Sequence, residues 1–177
     1  MIIVTGAAGF IGFNIAKRLN LMGIKDLILF DDKEKFSNPK KFSDLNYIDY
    51  RHYTDLNNLK NIQCIFHEGA CSDTMEYNKD YMMGINYEYS KEIFSIAKSN
   101  KAKFIYASSA SVYGLNENSQ EIEKNESPLN IYAESKLLFD KFIINQDYPA
   151  VGLRYFNVYG RGEENKGKMA SMAYKMN

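Results

Sequence analysis

Ile2-Ile3-Val4-Thr5-Gly6-Ala7-Ala8-Gly9-Phe10-Ile11-Gly12 opens the chain with a short apolar run that breaks abruptly into glycines. Ile2-Ile3-Val4 has the pattern of a buried strand. Residues 9–22 then read as a helix with Ile11, Ile15, Leu19 and Met22 on one face at helical spacing. Gly6, Gly9 and Gly12 fall between the two. Backbone without a Cβ can approach a phosphate closely, and a helix N-terminus offers free N–H groups to an anion. The spacing is Gly-x-x-Gly-x-x-Gly rather than Gly-x-Gly-x-x-Gly. A glycine turn with a packing role alone is the competing reading, and the strand–turn–helix context favours the pyrophosphate site.

The alternation continues along the chain. Leu27-Ile28-Leu29-Phe30 is a second strand, running into Asp31-Asp32, and Cys64-Ile65-Phe66 a third, running into His67-Glu68-Gly69-Ala70. A helix is expected over roughly residues 83–99. Phe104-Ile105-Tyr106-Ala107 is a strand stopping at Ser108-Ser109, residues 131–145 are a helix, and Ala150-Val151-Gly152-Leu153 begins another strand. The polar, lysine-rich residues 33–46 read as a loop. Continuous apolar strands separated by helices call for an α/β fold, a Rossmann-like doubly wound parallel sheet covered on both faces.

Composition narrows the function. The 177 residues carry 22 Lys plus Arg against 22 Asp plus Glu, so no basic excess points to nucleic acid. The longest apolar runs fall far short of the roughly 18–20 residues that span a bilayer. Glycines interrupt the apolar start at once, which makes it a strand and turn rather than a signal peptide. Two cysteines, Cys64 and Cys71, build no disulfide framework, and no His or Cys cluster has metal-ligand spacing. These features fit a cytoplasmic protein without a metal.

Tyr132-Ala133-Glu134-Ser135-Lys136 carries the expected chemistry. Tyr132 and Lys136, four apart, leave one helix face. A free phenol, with a pKa near 10, is a poor base at neutral pH, and a fixed ammonium nearby would lower that value. The same Lys136 can reach a nicotinamide ribose, while Ser109, at the carboxyl edge of its strand, can hold a substrate oxygen beside Tyr132. A solvated Tyr and Lys on a helix surface is the bland alternative. Asp31 and Asp32 follow the second strand, where an acid can bind the adenosine ribose and favour NAD. Strand-end acids also cap turns, and Lys33, Lys35, Lys40 or Lys41 could instead neutralise a 2′-phosphate. His67, Cys71 and His52 carry no nucleophilic role in this reading. A strand-end histidine is more often a structural hydrogen-bonding residue.

Thr5 with the three glycines, Asn86, residues 107–114, the Tyr–Lys pair and Arg154-Tyr155-Phe156-Asn157-Val158-Tyr159-Gly160 resemble the extended short-chain dehydrogenase/reductase family over essentially the whole chain. Residues 66–72, 81–83, 86–92 and 166–171 are more specific. They are similar to the members of that family that epimerise an ADP-heptose sugar nucleotide at C6. The resemblance implies NADP as cofactor, with NAD as the alternative, and transient oxidation of the C6 hydroxyl. It implies that Tyr132 and Lys166 serve opposite faces of the sugar. It also places Phe10, Ile11, Glu68, Gly69, Ala70, Cys71, Ser72, Asn86, Lys136 and Val158 against the cofactor, and Asn157 and Lys168 against the substrate. Full-length relatives of this kind are expected to be homo-oligomers. Another nucleotide-sugar epimerase, such as a 4-epimerase, or a non-catalytic NAD(P)-binding remnant are the other readings. A dehydratase fits less well, because those relatives usually place Asp-Glu where Ala110-Ser111 follows Ser109.

Residues 1–160 are expected to form the NAD(P)-binding domain, and residues 161–177 the start of a truncated substrate-binding region. The sugar-nucleotide domain of such relatives is expected to be largely missing from these residues. Weak cofactor binding without epimerase activity is therefore the expectation for these 177 residues.

Overall fold

A computed structural model describes residues 1–37, 42–163, 166 and 170–176. Lys40, Lys41 and Lys168, which the sequence offered as phosphate or substrate contacts, lie outside the described residues. Strands β1 (Ile2–Thr5), β2 (Leu27–Asp31), β3 (Asp49–His52), β4 (Cys64–His67), β5 (Lys103–Ser109) and β6 (Ala150–Tyr155) form one sheet in the order β3-β2-β1-β4-β5-β6. Every pairing is parallel. The chain leaves β1 on one side, crosses back to β4 and continues outward on the other. Residues 6–9 and 68–70 therefore meet at the carboxyl end, where the strand order reverses and open α/β sheets bind ligands.

Side chains alternate across the sheet and divide the core in two. Ile3, Ile28, Phe30, Ile65 and Phe104 face α3 (Tyr89–Asn100) and α4 (Ile131–Ile144), packing with Ile93, Phe94, Phe139 and Ile143. Val4, Leu27 and Leu29 face α1 (Phe10–Leu21), packing with Ala16, Leu19, Phe42 and Leu45.

Several local expectations need correction. Met22 does not join the buried face of α1. It is exposed, and the helix is buried through Gly12, Ala16 and Leu19. The second helix begins at α2 (Lys79–Met83), where the Asn78 side chain accepts from the Tyr81 N–H, and passes through a π-helical turn, Gly84–Glu88, into α3. One extra residue in that turn shifts the 3.6-residue phase, so a window fixed on α3 misses the first turns. Within the stretch read as a loop, Lys33–Ser37 form a 3₁₀ turn and Phe42 and Leu45 enter the core. Polar Asp49-Tyr50-Arg51-His52 became a strand with no apolar signature because it pairs on one side only. The cover expected on both faces does not extend over β6, whose Val151 and Leu153 are exposed.

Candidate active site

Two of the three glycines are required by contact. Gly6 has φ +63°, and a Cβ there would stand 2.7 Å from the Gly69 nitrogen and 2.8 Å from the Glu68 carbonyl carbon. A Cβ on Gly12 would stand 2.3 Å from the Gly6 oxygen. The β1 turn is thus pressed between the β4 loop and the first turn of α1. Gly9, the N-cap of α1, supplies no side-chain cap and no acid lies in the first turn, which leaves the positive helix end open to an anion.

Asp31 lies buried at the end of β2 with both oxygens engaged. Oδ2 accepts from the Ala8 N–H at 3.0 Å, and Oδ1 accepts from the Asp32 N–H at 2.8 Å and from Lys35 Nζ at 3.1 Å. Asp31 therefore pins the glycine turn to β2. Asp32 accepts from the Glu34 N–H at 3.3 Å and caps the following 3₁₀ turn. Both acids thus have the local jobs that competed with ribose binding, and Lys35 brings a cation to the same edge.

Ser109 closes β5, where its Oγ accepts from the Ser111 N–H and hydroxyl. Asn130 caps α4 through the Ala133 N–H, and the helix that follows brings the Tyr132 phenol beside the Ser109 side chain. Burial pushes the Tyr132 phenol up, the Ser109 bond pulls it down, and Cys71 adds to the rise. Lys136 is not among these influences, which corrects the expected acidification of the phenol. Its ammonium sinks instead under the strand edge and donates to the Ala107 carbonyl at 2.9 Å. Burial draws Lys136 down to about 8, opposed by Glu68, Asp140 and Cys71.

A buried polar chain supports these groups from below. Gly69 N–H donates to Thr5 Oγ1 at 3.0 Å, and Ser90 Oγ donates to the Asn86 carbonyl at 2.8 Å. These bonds assign the proton of His67, which lies between them. Thr5 donates to His67 Nδ1 at 2.8 Å, and Nε2–H donates to Ser90 at 2.8 Å. Burial, then the Lys136 charge, hold His67 down at about 3, so it is a neutral structural residue. Asn86, brought inward by the π turn, accepts from the Cys71 N–H and donates to the Cys71 carbonyl and to Ser135 Oγ. Ser135 donates in turn to the Tyr132 carbonyl at 2.7 Å. The Cys71 segment is thereby fastened to the helix turn that carries Tyr132.

Asp140, one turn beyond Lys136, accepts from Tyr106 Oη at 3.0 Å, Ser108 Oγ at 2.8 Å and Arg154 Nε at 3.1 Å. Sequence reasoning gave it no role, although an acid in the apolar run Leu137-Leu138-Phe139-Asp140 was the available signal. Of the remaining candidates, Gly69 and Ala70 are half-buried at the strand crossing, Ser72 and Asn157 are exposed, and Val158 is half-buried. Lys166 Nζ sits 4.7 Å from the centre of the Phe10 ring, on the α1 side of the cleft. Phe10, Ile11, Asn14, Arg18, Val158 and Arg161 line a groove of about 300 Å³ beside it. Among the described residues no group of three or more His, Cys, Asp or Glu could hold a metal ion, and no helix is long and apolar enough to cross a membrane.

The NAD dependent epimerase/dehydratase family matches residues 2–177. The chain is 49% identical to an ADP-L-glycero-D-manno-heptose-6-epimerase of Brachyspira hyodysenteriae, over 99% of this chain and 60% of that protein. It is similar to the crystal structure of the Helicobacter pylori ADP-L-glycero-D-manno-heptose-6-epimerase, with TM-score 0.86 and 35% identity, covering 98% of this chain and 60% of that one. It is also similar to a Bacillus cereus UDP-glucuronic acid 4-epimerase solved with NAD, with TM-score 0.71 and 25% identity, covering 90% and 57% respectively. The chain thus spans about 60% of the length of the first two relatives.

Proposed function

Since the chain belongs to the NAD dependent epimerase/dehydratase family, we propose that it is the dinucleotide-binding part of an epimerase that inverts C6 of ADP-D-glycero-D-manno-heptose. The observation that carries this reading is the 49% identity to a heptose epimerase over 99% of the chain. The nearness of Ser109 to the Tyr132 phenol at the sheet edge supports it. In this reading residues 1–160 bind the dinucleotide and residues 161–177 lead into the sugar-nucleotide part.

The turn fits a dinucleotide, because the space a Gly12 Cβ would fill is where backbone from β1 and α1 converge, with an uncapped helix end beside it. Gly6, Gly9, Phe10, Ile11 and Gly12 would hold its pyrophosphate, Lys136 and Asn86 its nicotinamide end, and Val158 the far wall. NADP is the proposed form, on the family resemblance and on Lys35 standing beside Asp31. A dinucleotide held there would supply the hydride acceptor and donor that transient oxidation at C6 needs. Tyr132 then moves the proton at the C6 oxygen, with Ser109 holding that oxygen beside it. Ser109 can also donate to the phenolate and so ease its formation. Lys166 is proposed as the second acid/base, with Asn157 and Lys168 as substrate contacts. Inversion presents both faces of the ketone, and Lys166 lies on the α1 side while Tyr132 projects from α4.

Tyr132→Phe tests the assignment in a version of the relatives' full length. Turnover of ADP-heptose should fall by about 10²–10⁴-fold, the usual worth of a general acid–base group, with NADP affinity unchanged. Normal turnover at saturation would refute the role. Conversion of a UDP-hexose at C4 with no conversion of ADP-heptose would move the assignment to a 4-epimerase.

A further inference from the structure

Arg154, near the end of β6, forms its ion pairs in the interior: its side chain is 12% exposed, that of Glu126 8% and that of Asp140 6%. One edge of the guanidinium meets both carboxylates. Nε and Nη2 each stand 3.1 Å from Asp140 Oδ2, and Nη2 also donates to Glu126 Oε1. The guanidinium lies over the Tyr113 ring, with 5.0 Å between its carbon and the ring centre. Tyr106 and Ser108 add their hydroxyls to Asp140, so neutral donors share its charge.

These partners belong to the segments that carry or adjoin Ser109 and Tyr132. Tyr113 closes the 3₁₀ turn Ala110–Tyr113, which follows Ser109 directly. Glu126 lies six residues before Tyr132. Beside it the Ser127 N–H donates to the Val112 carbonyl at 2.8 Å, and Asn130 then caps α4. Asp140 lies eight residues after Tyr132, and Tyr132, Lys136 and Asp140 share one face of α4. One guanidinium therefore fixes where the chain enters α4, how that helix is turned, and the turn beyond Ser109.

We propose that Arg154 is a positioning residue, whose guanidinium holds Tyr132 beside Ser109 by bridging Glu126, Asp140 and Tyr113. Lysine in its place would keep the charge and lose the planar fork. A single ammonium on a flexible stem cannot meet both carboxylates and the Tyr113 face together.

Amide hydrogen exchange in this 177-residue chain reads the clamp before any activity is asked of it. Arg154→Lys should speed exchange of the Ser127 and Ala133 N–H groups, bonded to the Val112 carbonyl and Asn130 Oδ1, by about tenfold or more. The amides of α3 serve as the reference and should keep their wild-type rates. Unchanged exchange at Ser127 and Ala133, or equal acceleration in α3, would overturn the proposal.

The inference rests on the proposed role of Tyr132, and turnover in a version of the relatives' full length tests that link. Arg154→Lys should lower turnover of ADP-heptose at saturating NADP by up to about 10²-fold, the cost of displacing a reacting group by about 1 Å. In a Tyr132→Phe background the same substitution should cost less than about threefold, because the group it positions is already gone. Equal losses in the two backgrounds would mark a general structural role and overturn the proposal. Glu126→Ala, which leaves Arg154 its pair with Asp140, should show the same non-additive pattern, and it decides the matter if Arg154→Lys does not fold. Normal turnover in Tyr132→Phe alone would overturn the Tyr132 reading itself, a failure distinct from equal losses.

Discussion

Gly12→Ala places one methyl group where the structure has no room for it. The added Cβ would stand 2.3 Å from the Gly6 oxygen, 2.8 Å from the Gly6 carbonyl carbon and 3.0 Å from Ala7 Cα, all of them backbone atoms. Ordinary contact begins at 3.4 Å, so about 1 Å of overlap must be relieved by moving the β1 turn or the first turn of α1. The turn cannot retreat freely, because Gly6 is already against Gly69 and Ala8 is bonded to Asp31. Overpacking of this kind costs about 1–3 kcal/mol. At about 2–4 °C per kcal/mol for a chain of this size, the melting temperature should fall by roughly 2–12 °C. Gly84→Ala is the control. Gly84 has helical angles and nothing within 4 Å of its would-be Cβ, so alanine there should stabilise by about 0.5–1 kcal/mol. Thermal unfolding of the two variants, with NADP titration of each, gives the comparison. Gly12→Ala should also weaken NADP binding, and Gly84→Ala should not. A Gly12→Ala protein that melts with the wild type and binds NADP normally would refute the contact argument.

Asp140→Ala should destabilise by about 1–3 kcal/mol in urea unfolding, since Tyr106 and Ser108 lose their buried acceptor while Arg154 keeps its pair with Glu126. A loss below about 1 kcal/mol would show that the network contributes little. His67 makes acid unfolding diagnostic. Its native value is depressed from 6.5 to about 3, so the unfolded chain binds a proton that the native state refuses. Stability from this group is complete above pH 6.5 and drains as pH falls towards 3, by up to about 5 kcal/mol. Glu68, raised in the fold, works in the opposite sense between pH 4.5 and about 7. The difference between wild type and His67→Asn isolates the histidine, and equal slopes in denaturant midpoint between pH 6.5 and 4 would exclude it. Lys35→Glu should reduce the preference for NADP over NAD, read from paired titrations. An unaltered ratio would place 2′-phosphate recognition elsewhere.

The sequence revealed the sheet's interior and concealed its margins. Strands β1, β2, β4 and β5 are apolar because both their faces are covered, so their side chains announce them. β3 is joined to the sheet by backbone on one side, and Asp49-Tyr50-Arg51-His52 carries no such mark. The first turns of the second helix were hidden by the same π turn that brings Asn86 inward. In the cleft, Ser109 beside Tyr132 follows from a strand end and a helix start, both local features. The direction of Lys136 does not follow from its spacing. Four residues fix the helix face, whereas the Ala107 carbonyl, brought over by β5, determines where the ammonium comes to rest. Asp31 shows the same limit, being a visible strand-end acid whose bond to the Ala8 N–H exists only once β1 and β2 are side by side.

The most direct measurement follows hydrogen at C6 of ADP-D-glycero-D-manno-heptose, using substrate deuterated at that carbon and a protein of the relatives' full length. Mass spectrometry and NMR of the epimerised product report whether the label survives. Deuterium retained at C6 is the predicted result, because the hydrogen leaves and returns as hydride without exchanging with water. Loss of the label to solvent, or no inversion at C6 by a folded, NADP-binding protein, would contradict the account.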